Sequence, residues 1–366
     1  MINLYGLDRP QLEALFEEQG LQSFRGRQLM KWVYHQGKTD FAQMTDLPRT
    51  MRTWLTEHAC FDLPPVQDYR KSKDGTLKWI VDVGQDNFVE TVLIPEKERY
   101  TLCVSSQVGC MLDCSFCSTG KQGFNGNLSA AAIVGQLIIA NRTLAEEGRQ
   151  VTNIVLMGMG EPLLNFAAAV TATNIMKDDL AFNLSKRRIT ISTAGVVPAI
   201  YELAQVTDVS LAISLHAPFD ELRDDLVPIN RKYPIADLKA ACQHYVSHLG
   251  ERRKLVIEYT LIKGVNDQKK HARALAELLR DVRCKINLIP FNPFPGTDYE
   301  RPDRANIRDF QSLLMQAGYA TMLRTTRGED IDAACGQLVG RVLDRTRRQA
   351  RYRAKLGVET IAAENV

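Results

Sequence analysis

A repeated alternation of strand-like and helix-like segments constrains the fold of this 366-residue chain more than any other feature. Short apolar runs typical of buried strands are followed, about six times, by longer segments with helical periodicity. The strand-like runs span residues 102–108, 153–157, 188–192, 210–215, 255–262, 285–290 and 320–324, and the main helical segments span 128–147, 166–177, 235–248, 269–280 and 304–317. Because parallel strands require crossover helices, this pattern predicts an α/β fold with a partial (β/α)6 barrel, whose chemistry lies at the carboxyl ends of its strands.

The segments outside this alternation have other patterns. Residues 10–19, 24–36 and 48–58 have the spacing of short amphipathic helices. Two alternating runs, 77–83 and 87–94, flank a turn and predict a β-hairpin. We therefore predict an N-terminal helical accessory domain with a hairpin at 1–95, a barrel at 96–340 and a basic C-terminal helix or tail at 341–366.

The charge of the chain is nearly balanced, with 46 basic and 43 acidic side chains, and a net charge of +3 does not by itself indicate a nucleic-acid partner. The tail differs, because residues 341–355 carry seven Lys or Arg side chains against one Asp. Arg341, Arg345 and Arg348 have helical spacing and are candidates for phosphate contacts. A solvated basic helix is the alternative.

A second candidate for RNA contact lies near the N-terminus. Residues 24–35 interleave basic and aromatic side chains, the types that contact phosphates and stack on bases. For Trp32 and Tyr34 we favour the alternative, in which they pack in the core of their own module.

No segment has the length or the pattern of a membrane or secretory element. The longest nearly uninterrupted apolar run, 130–140, falls far short of the ~20 residues that a membrane-spanning helix needs, and it contains Gln136. The N-terminal sequence MINLYGLDRP lacks the basic-then-apolar pattern of a secretory signal. We expect a cytoplasmic protein with no membrane partner.

Three of the eight cysteines form a compact motif directly after the first barrel strand, Cys110-x-x-x-Cys114-x-x-Cys117. In a reducing compartment such clustering indicates metal binding or catalysis rather than disulfides. Three thiolates can hold three irons of a four-iron cluster and leave the fourth iron open to a ligand. The alternative is a structural zinc site with Cys103 as the fourth ligand, but the spacing is unusual for zinc and we favour the cluster.

Polar and small residues close several of the apolar runs at the mouth of the barrel. Gly160 and Glu161 end the run at 153–157, where a glycine allows a ligand to approach the backbone and a carboxylate can pair with an ammonium group. The later strands end at Ser192, at Ser214, Leu215 and His216, and at Asn292. The alternative is that these are ordinary strand-end residues. By composition alone, Cys103 and Cys335 are buried inert thiols and Glu90 is a surface carboxylate.

The cysteine motif, with Phe116 before its last cysteine, resembles that of the radical SAM superfamily. The longer string LCVSSQVGCMLDCSFCSTGKQGF, residues 102–124, is similar to the RlmN/Cfr family of RNA adenine methyltransferases. The likeness continues through MGMGEPLLN, SLHAP, LIPFNPFPG and RGEDIDAACGQL and covers nearly the whole chain. The resemblance implies a radical SAM barrel.

The resemblance also implies roles for individual residues. Cys110, Cys114 and Cys117 would hold one 4Fe-4S cluster, and two molecules of S-adenosylmethionine (SAM) would be used per turnover. The first SAM would methylate Cys335, and a radical from the second would activate that methyl group to add to adenine; Cys103 would then release the product as a disulfide, and Glu90 would take the proton from the substrate carbon. SAM would contact Gly160, Glu161, Ser192, Ser214, Leu215, His216 and Asn292.

The implied substrates are an adenosine in the peptidyl-transferase region of 23S rRNA and the adenosine 3′ of the tRNA anticodon, methylated at carbon 2. An electron donor of flavodoxin type is the implied partner, and we expect a monomer. One alternative is the branch of the family that methylates carbon 8; Gln107-Val108-Gly109 and the GFNGNL run favour carbon 2. An alternative of another class is a non-enzymatic, metal-bearing RNA-binding module.

Overall fold

A computed structural model describes residues 1–340, 342 and 344–355. The strands are β1 (Ile2–Asn3), β2 (Ala59–Cys60), β3 (Val66–Lys71), β4 (Leu77–Asp82), β5 (Phe88–Glu96), β6 (Arg99–Cys103), β7 (Gln107–Gly109), β8 (Phe124–Asn127), β9 (Asn153–Leu156), β10 (Ile189–Thr193), β11 (Ser210–Ser214), β12 (Leu255–Leu261), β13 (Cys284–Pro290) and β14 (Thr321–Leu323). The α-helices are α1 (Arg9–Glu18), α2 (Phe24–Met30), α3 (Arg49–His58), α4 (Ser118–Lys121), α5 (Ala130–Ala145), α6 (Phe166–Lys177), α7 (Val197–Val206), α8 (Asp220–Leu226), α9 (Ile235–His248), α10 (Lys269–Leu278), α11 (Arg304–Gln316) and α12 (Arg348–Lys355).

One ten-stranded sheet, in the order β14-β13-β12-β11-β10-β9-β6-β5-β4-β3, forms the centre of the protein. The strands from β6 through β9 to β14 are parallel neighbours, and helices connect most of them. Their side chains are largely buried, as expected for parallel strands covered by helices. The predicted α/β fold with a partial parallel barrel is therefore confirmed.

The first barrel strand is shorter than the apolar run that predicted it. We expected one strand over 102–108, but β6 ends at Cys103 and the chain then leaves the sheet to form β7, which pairs with β8 in a separate two-stranded sheet. Gln136 supports this departure, because its side-chain amide accepts from the Ser105 N–H at 2.8 Å and donates to the Ser105 carbonyl at 3.0 Å. The polar residue inside the apolar helix α5 thus takes the place of a strand partner.

The predicted hairpin forms as β4 and β5, joined by a turn at residues 84–86. Its strands extend the barrel sheet, since β5 pairs antiparallel with β6. The proposed domain boundary at residue 95 falls inside β5, so the division into three domains remains a proposal.

The N-terminal helices form as predicted at α1 and α3, but the expected helix over 24–36 changes character. It is α-helical in α2 and continues as a π-helical turn at Lys31–His35. The ring of Tyr34 packs edge-on against Phe182 with centroids 5.2 Å apart, and the Trp32 indole N–H donates to Asp46. Both aromatic side chains therefore serve packing within the protein in this structure.

The basic tail contains helix α12, which begins at Arg348. Arg345 precedes this helix, so the predicted helical spacing of the basic residues is wrong for Arg345; Arg341 lies outside the described residues, as do 356–366. No helix in the described part of the chain is long and apolar enough to span a membrane.

Candidate active site

A cavity of about 390 Å³ opens at the carboxyl ends of the parallel strands and extends into the barrel. Four of the predicted site residues line it, namely Cys103, Cys117, Asn292 and Cys335. Parallel strands bring their carboxyl ends to one edge of a sheet, which explains why residues far apart in sequence meet here. The other predicted residues do not line this cavity. They lie on β5, in the loop after β7, in the segment after β9, and at or just after the ends of β10 and β11.

The cysteine motif forms the loop between β7 and α4. Cys110 follows β7 and its N–H donates to the Gly123 carbonyl at 2.8 Å, while the Cys117 N–H donates to the Cys114 carbonyl at 3.2 Å. Burial, and the proximity of Cys117, raise the pKa of Cys110 to about 12. Burial and the two other thiols also raise the pKa of Cys114 well above its usual value. A cationic group bound in this loop is therefore needed to hold the cysteines as thiolates.

The arrangement of the thiols bears on the choice between a cluster and a zinc ion. Cys103 lies near Cys335, whose proximity adds to burial in raising the pKa of Cys103 to about 12. Among the described residues, no group of three or more His, Cys, Asp or Glu side chains is placed to hold a single metal ion. A four-iron cluster accepts each thiolate on a separate iron and needs the sulfurs further apart than one ion does. The residues present fit the cluster better than the zinc site.

Arg348 braces the cysteine loop from outside. Its guanidinium donates to the carbonyls of Cys110 at 2.5 Å, Leu112 at 2.8 Å and Gly120 at 3.1 Å. The sequence names this side chain as a candidate for phosphate contact, and in this structure its donors bind the cysteine loop and its surroundings instead. The basic tail thus helps to shape the cysteine loop.

The segment after β9 approaches the neighbouring backbone closely. A Cβ on Gly158 would lie 2.7 Å from the Val104 carbonyl oxygen. Gly160 has φ +100°, and a Cβ there would lie only 2.5 Å from Gln107 Cβ. Glu161 is buried, and its carboxylate accepts from the N–H groups of Leu163 at 3.1 Å and Ala194 at 2.7 Å. Burial raises the pKa of Glu161 to about 7, so a nearby ammonium group would favour its charged form. The two glycines are needed for this close packing of the chain on itself, and the buried carboxylate of Glu161 fits the amino end of SAM.

The loops after β10 and β11 hold the next predicted contacts. Ser192 and Ser214 lie at the ends of these adjacent strands. Leu215 is buried, and its N–H donates to the Glu258 carbonyl at 3.1 Å. His216 has φ +61°, and its Nδ1 accepts from the Thr260 N–H at 3.0 Å.

The imidazole of His216 is therefore neutral with its proton on Nε2. Burial lowers the pKa of His216 to about 3, which agrees with this protonation state. The neighbouring Arg223 guanidinium lowers it further. The remaining Nε2–H is a donor available to a ligand.

Asn292 lies beside the loop that carries Cys335. Its Nδ2 donates to the Cys335 carbonyl at 3.1 Å, and its Oδ1 accepts from Arg301 at 2.8 Å. In this structure Asn292 therefore links the Cys335 backbone to Arg301, and its contact with SAM stays a prediction.

Cys103 and Cys335 line the same cavity, and both are free thiols. Cys335 is exposed and Cys103 is half-buried. Loss of hydration raises the pKa of both thiols, and the charge of the Arg324 guanidinium, which also lines the cavity, lowers the pKa of both. Arg324 was not predicted from the sequence, where it is only one basic residue at the end of an apolar run. By contrast, Cys242 and Cys284 are buried inside the fold, as expected for inert thiols.

Glu90 lies on β5 beside this pair. In the strand register Val92 is opposite Cys103, and side chains two apart on a strand share a face, so Glu90 faces the same side as Cys103. Its side chain is only 3% exposed and forms an ion pair with Lys78 at 3.0 Å. The sequence analysis did not identify Lys78 as a site residue. The one feature that could have indicated its contact with Glu90 is its position on the predicted hairpin, diagonal to Glu90 on the adjacent strand.

Comparison with known proteins agrees with this fold. Residues 2–61 match the family model of the ribosomal RNA large subunit methyltransferase N-terminal domain, and residues 104–276 match that of the Radical SAM superfamily. A solved radical SAM methyltransferase from Sphaerobacter thermophilus superposes with a TM-score of 0.85 at 43% identity, covering 92% of this chain and 99% of that one. The fold and the three-cysteine loop therefore define a radical SAM enzyme.

The curated relatives narrow this class. The dual-specificity RNA methyltransferase RlmN of Marinobacter nauticus is 58% identical over 96% of both chains. The protein of the same name from Pseudomonas putida is 57% identical over 96% of this chain and 93% of that one. The chain belongs to the RlmN family of radical SAM RNA methyltransferases, a membership that implies a 4Fe-4S cluster and SAM.

Proposed function

We propose that this enzyme methylates carbon 2 of adenosine in 23S rRNA and in tRNA through a methylated Cys335. The observation that carries the proposal is the placement of two free thiols, Cys103 and Cys335, in one cavity together with Cys117 of the cysteine loop. A methyltransferase acting on a nucleophilic atom needs no such pair. Carbon 2 of adenine lies between two ring nitrogens and is too electron-poor to attack SAM directly.

Each bound group has residues that fit it. Cys110, Cys114 and Cys117 would hold one 4Fe-4S cluster. The carboxylate of Glu161 and the Nε2–H of His216 would bind SAM together with Gly160, Ser192, Ser214, Leu215 and Asn292. When bound, the cluster and SAM supply a 5′-deoxyadenosyl radical that abstracts hydrogen from a methyl group. Two SAM molecules are consumed per product, one for the methyl group and one for the radical.

The two thiols act in sequence. The Cys335 thiolate takes a methyl group from the sulfonium of SAM, and the positive charge of Arg324 favours that thiolate. Bonding of the activated carbon to adenine leaves an unpaired electron on the ring, which the cluster would take back, and the proton on carbon 2 is then removed. The Cys103 thiolate next attacks the Cys335 sulfur. A sulfur–sulfur bond forms, the sulfur–carbon bond breaks with its electron pair on carbon, and that carbon takes up a proton. An external thiol then reduces the disulfide.

Glu90 is the proposed acceptor for the proton on carbon 2. It shares a face of the sheet with Cys103, and diagonal neighbours on adjacent strands lie about 7–8 Å apart. We propose that a carboxylate at this distance from the Cys103 thiol reaches the proton of an adenine ring held between Cys103 and Cys335.

The substrates follow from the chemistry of the site. A base must leave its stack to reach a cavity inside a barrel, which favours adenosines in loops, such as those of the peptidyl-transferase centre and the anticodon loop.

We propose that the enzyme acts as a cytoplasmic monomer and that an electron donor of flavodoxin type reduces the cluster. We also propose that the accessory domain 1–95 and the tail 341–366 contact RNA.

The test is nucleoside analysis of rRNA and tRNA from cells lacking the gene, complemented with either the wild-type enzyme or Cys335→Ala. We expect 2-methyladenosine to be lost from both RNAs and restored only by the wild-type enzyme. A product methylated at carbon 8 would assign the chain to the alternative branch. A purified protein that holds zinc and does not cleave SAM under reducing conditions would favour the binding module.

A further inference from the structure

The loop that carries Cys335, residues 328–340, is fixed at its start to the turn between β3 and β4 and at its end to β5. At its start, the Gly328 N–H donates to Asp74 at 3.0 Å, and the Lys73 N–H donates to Asp330 at 3.1 Å. At its end, Gly340 lies so close to β5 that a Cβ there would be 2.0 Å from the Phe88 carbonyl oxygen. We call this segment the Cys335 loop.

Between these ends, one buried ion pair contacts the loop on both sides of Cys335. The Lys78 ammonium donates to the Asp332 carbonyl at 3.2 Å, three residues before the thiol. The Glu90 carboxylate accepts from the Val339 N–H at 2.9 Å, four residues after it. The two side chains also pair with each other at 3.0 Å, and each is 3% exposed.

This arrangement uses each oxygen of Glu90 for a different partner. Oε1 accepts from Lys78 and Oε2 accepts from the loop, while Ser105 Oγ fixes the Glu90 carbonyl at 2.6 Å. Charge-assisted hydrogen bonds of this kind are strong when they are shielded from water. Loss of either charge leaves the other buried without its counter-ion, which is costly. The loop is therefore held closed by the charged state of both residues.

We propose that Lys78 is a positioning residue, and that the Lys78–Glu90 pair is a latch that holds the Cys335 loop over the cavity until Glu90 accepts the substrate proton. This inference rests on the proposed function, in which Glu90 takes that proton. The carbon–hydrogen bond breaks, its electron pair stays on the adduct, and the proton passes to Glu90. The neutral acid then binds Lys78 and the Val339 N–H more weakly, which frees the loop for the attack by Cys103 on Cys335.

The latch is tested by hydrogen exchange at the Val339 amide in the full-length holoenzyme. Lys78→Met removes the ammonium and keeps most of the volume, and Glu90→Gln imitates the protonated carboxylate. We expect both to accelerate exchange in residues 332–339 about tenfold, because a hydrogen bond to a charged group contributes about 1.5–3 kcal/mol. Lys78→Arg should restore slow exchange, and Lys71→Met, on the exposed strand next to it, should leave exchange unchanged.

A second readout separates positioning from a general loss of stability. If the Cys335 loop is loosely held, radicals form without transfer of carbon to adenine. Lys78→Met should therefore raise the ratio of 5′-deoxyadenosine to methylated adenosine. Lys78→Arg should return this ratio toward the wild-type value. Unchanged exchange at Val339, equal acceleration throughout β9 to β12, or an unchanged ratio would overturn the latch. A wild-type enzyme that produces no 2-methyladenosine would refute the proposed function instead, whatever the exchange data show.

Discussion

The ring of Phe116 packs edge-on against the imidazole of His216, with the ring centroids 4.6 Å apart. Phe116 is part of the cysteine loop and His216 follows β11, so this contact joins the two halves of the proposed site. It fixes the plane of the imidazole, whose Nδ1 is already occupied by the Thr260 N–H. The position of the Nε2–H that we propose as a donor to SAM thus depends on a residue of the cysteine loop.

Phe116→Leu should weaken SAM binding while the cluster still forms. The substitution keeps an apolar side chain in the loop but removes the edge contact, which is worth about 0.5–1.5 kcal/mol. We expect SAM affinity to fall about threefold to tenfold, measured by equilibrium binding, with iron and sulfide content unchanged. A variant that loses iron but keeps its SAM affinity would place Phe116 in cluster binding only.

Arg348→Gln should reduce incorporation of the cluster. The guanidinium donates to the carbonyls of Cys110 and Leu112 in the cysteine loop and of Gly120 in α4, and its loss leaves half-buried acceptors without partners. We expect iron content after reconstitution to fall by at least about half, because the loop loses several charged hydrogen bonds. Arg345→Gln is the matched control, since Arg345 is exposed in the turn just before the helix. Equal iron content in both variants would show that the brace is dispensable.

SAM binding should depend on pH through Glu161. Burial raises the pKa of Glu161 to about 7, above its usual 4.5, so the carboxyl is protonated in much of the apoprotein below pH 7. A neutral carboxyl cannot pair with the ammonium of SAM, and the affinity should therefore fall toward tenfold per pH unit below about pH 7. Glu161→Gln should bind SAM weakly with a flat profile over pH 5.5–8 when compared with wild type by calorimetry. A wild-type affinity independent of pH over this range would exclude Glu161 as the ammonium partner.

The barrel and the position of the cysteine loop could be predicted from the sequence because they depend on local pattern, whereas the roles of Cys103, Cys335 and Glu90 came only from the family resemblance. Apolar runs of strand length separated by helical periods specified the parallel sheet, and the spacing of Cys110, Cys114 and Cys117 indicated the cluster loop. The single predicted strand over 102–108 was wrong, because Gln136 on a distant helix binds the Ser105 backbone where the chain leaves the sheet. Sequence pattern carries no information about such a contact.

Residues that act through long-range contacts were not predicted. Lys78 and Arg324 are ordinary basic residues in the sequence, and only the fold places one beside Glu90 and the other near both thiols. Arg348 is a candidate for phosphate contact because it lies in a basic tail, whereas its hydrogen bonds to the cysteine loop join residues more than 200 positions apart in the chain. Charge patterns identify candidate side chains and leave their partners open.

The central claim is that Cys335 carries the transferred carbon and Cys103 releases it. Cys103→Ala removes the resolving thiol while leaving Cys335 and the cysteine loop intact, so the enzyme should stop at the covalent RNA adduct. The direct measurement is mass spectrometry of this variant after incubation with SAM, reductant and an anticodon stem-loop RNA, followed by protease and nuclease digestion. We predict a peptide whose Cys335 is joined through one carbon to carbon 2 of adenosine. A link at carbon 8, a link through another residue, or full turnover by Cys103→Ala would contradict the account.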